Sequence, residues 1–285
     1  MVSVDTLEVA ERLDNGNQIQ GTFPKLEKSK IIFEGKNNIL FCEEGVTLRE
    51  SVLTMKGNHS VIYLGKSCFD YKLNVVVFND CVFHMGRHNY INNKLSVILS
   101  EQRHCFIGDN GIFSQRIWIR NADAHLIYSC ETGKRTNLSK SIYIGDHVWI
   151  GQDCLILKGT QIDSGCIIGG MSVVAGKHIF YNEVWAGNPV IKISDNVFWD
   201  GACVHAWFQE ETDISGSYAE YIEKYKGEGC TKDFWIYNYS EKEALEYSTL
   251  DKQFIEAKNS QDRCSILLWL HENKEKNRFA HNKKI

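Results

Sequence analysis

Residues 144–179 read IGDHVW, IGQDCL, ILKGTQ, IDSGCI, IGGMSV, VAGKHI in consecutive blocks of six. An aliphatic residue opens every block, at Ile144, Ile150, Ile156, Ile162, Ile168 and Val174. A small residue stands four places later in the first five (Val148, Cys154, Thr160, Cys166, Ser172), and His178 breaks that rule in the sixth. At about 100° per residue, six helical residues advance about 240°, so these aliphatics would fall on three separate faces of a helix. A long strand would alternate every two residues and would not hold this much glycine. Short strands separated by tight turns fit the period. Each block is then one side of a coil with its aliphatic pointing inward. Three blocks close a triangular turn of roughly 18 residues, and successive turns stack as parallel strands about 4.8 Å apart.

Working outward, the period persists upstream in degraded form. Leu40, Val46, Val52, Leu64, Val76 and Val82 keep one frame, which Asn58 and Asp70 break; Ile107, Phe113 and Ile119 keep a second. The breaks predict irregular early coils. Glycine at the corners is expected to supply unusual backbone angles, in a chain with 22 glycines and 2 prolines. LIYSCETGKRTNLSK, residues 126–140, is polar and off the pattern, and is expected to project as a loop. After Ile193 the hexad vanishes. SYAEYIEKYK and SEKEALEYSTLDKQFIEAK are expected to be helical, the second opening on a Ser240/Glu243 capping box, and RCSILLWLHENKEK an amphipathic helix before a basic end with Lys283 and Lys284. The organisation expected is an N-terminal segment 1–34, a mainly β, left-handed parallel β-helix acyltransferase domain 35–194, and a mainly α-helical C-terminal region 195–285. That last region is expected to cap the open coil end or mediate assembly, because an exposed sheet edge invites aggregation.

Composition narrows the class. A 43% hydrophobic, 24% charged chain excludes wholesale disorder. A net charge of −4 argues against a generally cationic nucleic-acid binder. No apolar run is long enough for a transmembrane helix, and the polar, acidic start lacks the features of a secretory signal. The ten cysteines form no CxxC pair, so they read as small buried hydrophobes in a reducing cytoplasm, where the protein is expected to reside.

The segment 141–193, with IGDHVWIG and the terminal AGNP, closely resembles the hexapeptide-repeat acyltransferases, in the branch of galactoside, maltose and capsular-polysaccharide O-acetyltransferases. Residues 120–151 are similar to that branch's catalytic stretch, with His125 standing 24 residues before Trp149. The resemblance is strong over 100–194, loose over 35–99, and absent from the C-terminal 90 residues. It implies a left-handed parallel β-helix, a homotrimer, acetyl-CoA in a groove between neighbouring subunits, and direct acetyl transfer to a hydroxyl with no acyl-enzyme and no metal. Two departures stand out. AGKHIFYNEVW lacks the family's proline turn and carries one extra residue, and Ile191 occupies the place where a basic residue usually follows AGNP, with Lys192 next.

Candidate residues follow from the chemistry and from that resemblance. A sugar hydroxyl is a poor nucleophile at neutral pH, and an imidazole within hydrogen-bond reach removes its proton as the oxygen attacks. The resemblance assigns that role to His125 among ten histidines. Asp123 or Glu131 is expected to orient the ring. Trp149 is expected to point outward and line the acceptor cleft, or to pack between subunits. A backbone N–H at a tight turn, marked by Gly151 or Gly170, is expected to serve the oxyanion. Gly170, Ser172 and Ala175 are expected along the pantetheine groove, with Lys177 and Lys192 as cations for the CoA phosphates. Arg116, Trp118 and Arg120 are expected to share one strand face and, with Asp123, to meet the acceptor; the guanidiniums would suit a carboxylate such as that of a sialic or uronic acid. The function expected is acetyl transfer to a bacterial surface glycan, capsule or lipo-oligosaccharide. Rivals are a small sugar, a nucleotide-sugar amine, a xenobiotic, and a non-catalytic β-helix scaffold.

Overall fold

The computed structural model describes residues 1–227, 231–237 and 247–273. Its body is a left-handed parallel β-helix of about seven turns with three faces. The first face stacks Val2–Val4, Lys30–Phe33, Val52–Met55, Leu73–Val77, Leu95–Leu99, Ile117–Arg120, Leu155–Leu157 and Val173–Ala175. The second stacks Gln18–Gly21, Ile39–Cys42, Val61–Leu64, Val82–Met85, Cys105–Ile107, Ile142–Ile144, Gln161–Ile162 and His178–Ile179. The third stacks Tyr90–Ile91, Ile112–Phe113, Trp149–Ile150, Ile167–Ile168, Val184–Ala186 and Ile191–Ser194. Two of these sheets end on an antiparallel strand: Val2–Val4 on Lys30–Phe33, and Ile191–Ser194 on Val184–Ala186. Those reversals block further parallel addition at the ends.

The lumen is the core. Ile144, Ile150, Ile156, Ile162, Ile168 and Val174 are all fully buried, as the hexad requires. Each such side chain contributes about 1.5–3 kcal/mol by leaving water. Strand register lines them up from coil to coil, so that Ile119 lies under Ile156 and Ile156 under Val174.

Upstream, the coils depart from the six-residue frame. Lys30 pairs with Val52, Val52 with Asn74, and Leu73 with Leu95, a step of 22 residues, while Gln18 pairs with Ile39 and Val61 with Val82, a step of 21. The C-terminal coils advance by 18, as from Leu155 to Val173. A frame of six drifts through longer coils. Leu40, Val46 and Leu64 do reach the lumen, but Val52 and Val76 stand outward and only half-buried, while Leu53 and Val75 take the lumen positions. Val82 packs outward beneath the C-terminal helices. Coil strands also begin upstream of residue 35, with Gln18–Gly21 parallel to Ile39–Cys42.

The corners also differ from expectation. Sixteen described non-glycine residues have left-handed φ, against nine glycines. Asn15, Asn37, His59, Asp80 and Gln102 recur once per coil at one corner. Asparagine and aspartate tolerate this region better than other side chains, which explains part of the set. Glycine has another task along Gly65, Gly86, Gly108 and Gly145. A Cβ on Gly86 would lie 2.5 Å from the Gly108 carbonyl oxygen, and one on Gly108 would lie 2.6 Å from the Gly145 carbonyl carbon. Stacked coils touch there through bare backbone.

Five helices are described: α1 Leu7–Ala10, α2 Gln209–Ile214, α3 Tyr218–Tyr225, α4 Tyr247–Glu256 and α5 Ser260–Glu272. Ser240, Glu243, Lys283 and Lys284 lie outside the described residues. α5 starts on Asn259, whose side chain accepts from the Asp262 amide at 2.8 Å. Its apolar stripe, Cys264, Leu267 and Leu270, joins Tyr247, Leu250 and Phe254 of α4 over Ile39, Val61, Tyr63, Val82, Phe106 and Tyr143 of the second face. α4 and α5 therefore cover a side of the solenoid. The second face has outward aromatics that need cover, whereas at the C-terminal end Ile191–Ser194 adds an antiparallel strand to the third face.

Candidate active site

Between the first and second faces the chain leaves the solenoid after Arg120 and returns at Ile142. The coil containing this excursion advances 37 residues, from Trp118 to Leu155. Asn121 pins its start: its amide exchanges hydrogen bonds with the Ser100 backbone at 2.9 and 3.1 Å. The excursion is a hairpin, with Tyr128 bridging antiparallel to Arg135 and Gly133 turning the tip. Its neck is clamped to the coil below. Arg135 forms a two-pronged ion pair with Glu101 at 2.7 and 2.9 Å, and Ser139 donates to the same carboxylate. Arg135 and Ser139 hold the Glu101 carboxyl down to about 2.

His125 sits at the root of this hairpin, exposed. Its carbonyl oxygen accepts from the Asn137 side-chain amide at 2.7 Å. Asp123 does not reach the ring. Its carboxylate takes hydrogen bonds from Lys158 and from Asn137, and these partners, Lys158 first, hold its pKa below the usual carboxylate range. Glu131 is exposed near the hairpin tip. Lys158, Gly159, Lys140, Ala175, Gly176 and Lys177 continue the same corner: a Cβ on Gly159 would lie 3.0 Å from Lys140 and 3.7 Å from the Gly176 Cα. Ala175 and Lys177 are exposed, and Lys177 makes no ion pair among the described residues.

The other predicted residues lie elsewhere. Gly151 and Gly170 stack at the corner between the third and first faces, where a Cβ on Gly151 would lie 2.5 Å from the Gly170 nitrogen. Ser172 is buried and donates to the Gly169 carbonyl at 2.6 Å while accepting from the Gly187 amide at 3.0 Å, so its hydroxyl staples coils instead of facing a groove. Lys192 is paired with Asp195 at 3.0 Å and Glu183 at 3.5 Å. Trp118 and Arg120 do share the outer side of one strand, alternating with Ile117 and Ile119 in the lumen. Arg116 does not: it stands at the corner with left-handed φ, and its guanidinium grips Asp153 at 2.5 and 2.6 Å. Arg120 carries a buried Nε with no hydrogen-bond partner among the described residues.

Trp149 projects from the third face, 40% exposed. It is in register with Ile112 below and Ile167 above, and Ile112 with Tyr90 below that. Tyr90 and its surroundings were not among the sequence candidates. Its ring is 38% exposed, its hydroxyl donates to Asn92 at 3.1 Å, and Phe69 stands edge-on at 5.3 Å. Trp199 flanks Trp149 at 6.0 Å and stacks flat on His147, with centroids 3.6 Å apart; Trp235 lies 4.3 Å from the same imidazole. Burial, the largest influence, pushes the His147 imidazole down to about 4. Within one chain His125 and Trp149 are thus not neighbours. One stands at the corner between the first and second faces, the other on the third.

The bared first face lies between them. Its outward side chains form two columns: Val52, Asn74, Ser96, Trp118, Leu155 and Val173 in one, and Thr54, Val76, Ile98, Arg120, Leu157 and Ala175 in the other.

Fold and repeat define the class, a parallel β-helix of the hexapeptide type. Residues 141–176 match the family model described as bacterial transferase hexapeptide (six repeats). The chain is 27% identical over 184 residues to the polysialic acid O-acetyltransferase of Neisseria meningitidis, covering 65% of this chain and 85% of that one. It is 28% identical over 138 residues to a galactoside O-acetyltransferase of Lactococcus lactis subsp. lactis, covering 47% and 65%. The solved structure of the polySia-specific acetyltransferase NeuO shares the fold, with a TM-score of 0.58 at 24% identity over 72% of this chain and 94% of that one. The chain thus carries the hexapeptide repeat and resembles O-acetyltransferases of that type.

Proposed function

We propose that the protein transfers an acetyl group from acetyl-CoA to a hydroxyl of a bacterial surface glycan, with His125 as general base. The supporting observation is an exposed imidazole whose backbone is fixed at the root of a clamped hairpin. The neutral ring takes the hydroxyl proton as the oxygen attacks the thioester carbonyl. The C–O bond forms, the C–S bond breaks, and the imidazolium returns its proton to the departing thiolate, so ester and free thiol leave with no net proton change. Lys177, a cation without an ion pair among the described residues, serves the CoA phosphates; Lys192 is already neutralised by Asp195 and Glu183.

The acceptor reading favours a sugar. Tyr90, with Asn92 beside its hydroxyl, offers a ring face and polar groups two coils from Trp149. The acidic-acceptor reading loses Arg116 to Asp153 and retains Arg120.

We also propose that the working form is a homotrimer in which the first face of one subunit meets the third face of the next. That packing covers the two columns of the first face, apolar at Trp118, Leu155, Leu157 and Val173, and brings His125 toward Trp149 of the partner subunit. The second face is unavailable because α4 and α5 occupy it. The test is thiol release from acetyl-CoA with a panel of bacterial glycans, followed by mass spectrometry of the acceptors. His125→Ala should lose at least about 10²-fold in kcat, the usual scale for a lost general base, while remaining folded. Near-normal turnover by that variant overturns the mechanism.

A further inference from the structure

Asn137 is 6% exposed, and every polar atom of its side chain is used on the hairpin neck. Its Nδ2 donates to the His125 carbonyl oxygen at 2.7 Å and to Asp123 at 3.1 Å. Its Oδ1 accepts from the Ile127 amide at 3.0 Å and from Arg135 Nε at 3.1 Å. Its own carbonyl accepts from Lys158 Nζ at 3.2 Å. One side chain therefore ties together both strands of the hairpin, the residue two before His125, the residue two after it, and His125 itself. Lys158 extends the network into the next coil, and Arg135 into the coil before through Glu101.

The imidazole itself has no hydrogen bond among the described residues, so its placement is set by its backbone. A carboxamide is the group that fits. It needs a donor toward two oxygens, those of His125 and Asp123, and an acceptor toward two N–H groups, those of Ile127 and Arg135. An aspartate of the same size would set a carboxylate against both oxygens. Buried groups stripped of their partners cost more than the bonds themselves are worth, so the hairpin root would rearrange.

We propose that Asn137 is the positioning residue for His125, holding the imidazole at the angle from which it reaches the acceptor hydroxyl. This rests on the general-base reading. A general base displaced by about 1 Å loses on the order of 10²-fold in rate, while substrate affinity is little affected. Asn137, buried on the neck, acts through His125.

A double-mutant cycle on thiol release tests this. Asn137→Ala in the wild-type background should lower kcat roughly ten- to hundredfold, with KM for acetyl-CoA and acceptor within about threefold. In the His125→Ala background the same change should cost less than about twofold, because there is no base left to misplace. Asn137→Asp, which preserves volume, should fail like alanine and keep the melting temperature of the solenoid. Equal losses in both backgrounds, or full activity of Asn137→Asp, overturn the positioning role and leave the general base standing. Wild-type turnover by His125→Ala removes the general base and, with it, this role.

Discussion

Lowering the pH from about 7.5 to about 5 should cost the fold about 2 kcal/mol through His104 alone. This imidazole is fully buried, between the second face and α4, with Phe106 and Phe254 as neighbours. Its Nδ1 accepts from the Val82 amide at 3.2 Å, so the neutral ring carries its proton on Nε2. A second proton would have to go on Nδ1, breaking that bond. Burial first, then the charges of Arg263 and Arg103, push the group from 6.5 down to about 3. The folded chain therefore keeps it neutral while the unfolded chain protonates below 6.5. Its contribution is complete above that value and is lost as the pH falls toward 3. At pH 5 the unfolded form has gained about 1.5 log units of proton binding, or about 2 kcal/mol at about 1.4 kcal/mol per unit. Urea unfolding at both pH values, on the wild type and on His104→Gln, isolates the effect. The stability lost between the two pH values should be about 2 kcal/mol smaller in the variant, while His147 and the carboxylates cancel in the comparison. A variant that loses as much as the wild type, within about 0.5 kcal/mol, refutes the argument.

Two further outcomes follow from packing and pairing. Ile156→Ala should cost about 2–5 kcal/mol and Ile156→Val about 1 kcal/mol in urea unfolding, because Ile156 is fully buried between Ile119 and Val174 and the rungs are held apart by backbone hydrogen bonds; a cost below about 1 kcal/mol for alanine would mean that the lumen closes over the gap. Arg116→Ala should leave KM for an anionic acceptor within about twofold, since the guanidinium is committed to Asp153; a tenfold rise would show that it exchanges that partner for substrate.

The six C-terminal blocks were legible because there one side of the coil is six residues, and a lumen tolerates only an aliphatic at its centre. The early coils obey the same rule with a period of 21 or 22, and a frame of six cannot follow it. The six-residue frame caught Leu40 and Leu64 and misassigned Val52 and Val76, which stand outward in register with Asn74 and Thr54 respectively. Corner chemistry was only partly legible. Asn37 and Asp80 are ordinary left-handed residues, but Glu50 and Arg116 take such angles because the coil demands it. Side-chain pairing across coils was not legible at all. Arg116 and Asp153 are 37 residues apart, a spacing set by the hairpin insertion. Ser172 looked like a groove residue because it is small and polar, and its smallness serves to fit a hydroxyl between two backbones. The excursion itself was legible from polarity, and it carries the proposed base His125 at its root. Tyr90 lay within the 22-residue coils and was missed; a spacing of 22 to Ile112 and then 37 to Trp149 is the signal that would have found it.

The C-terminal helices bear on how the solenoid assembles. Alone, a three-sided prism offers three apolar or half-apolar sides to other copies. α4 and α5 remove one of them by burying Tyr63, Phe106 and Tyr143 beneath Tyr247, Leu250, Phe254, Leu267 and Leu270. Burying each large apolar side chain there contributes about 1.5–3 kcal/mol. Two unlike faces remain, the first with its mixed columns and the third with Tyr90 and Trp149, the latter flanked by Trp199. A ring closed by rotation needs two unlike, complementary patches on each member, because its contacts are heterologous. The proposed trimer uses those two faces, and the hairpin carrying His125 stands at the outer edge of one of them. In that proposed trimer, covering the second face would fix which neighbour the imidazole meets, with a part of the chain that lies beyond the repeat.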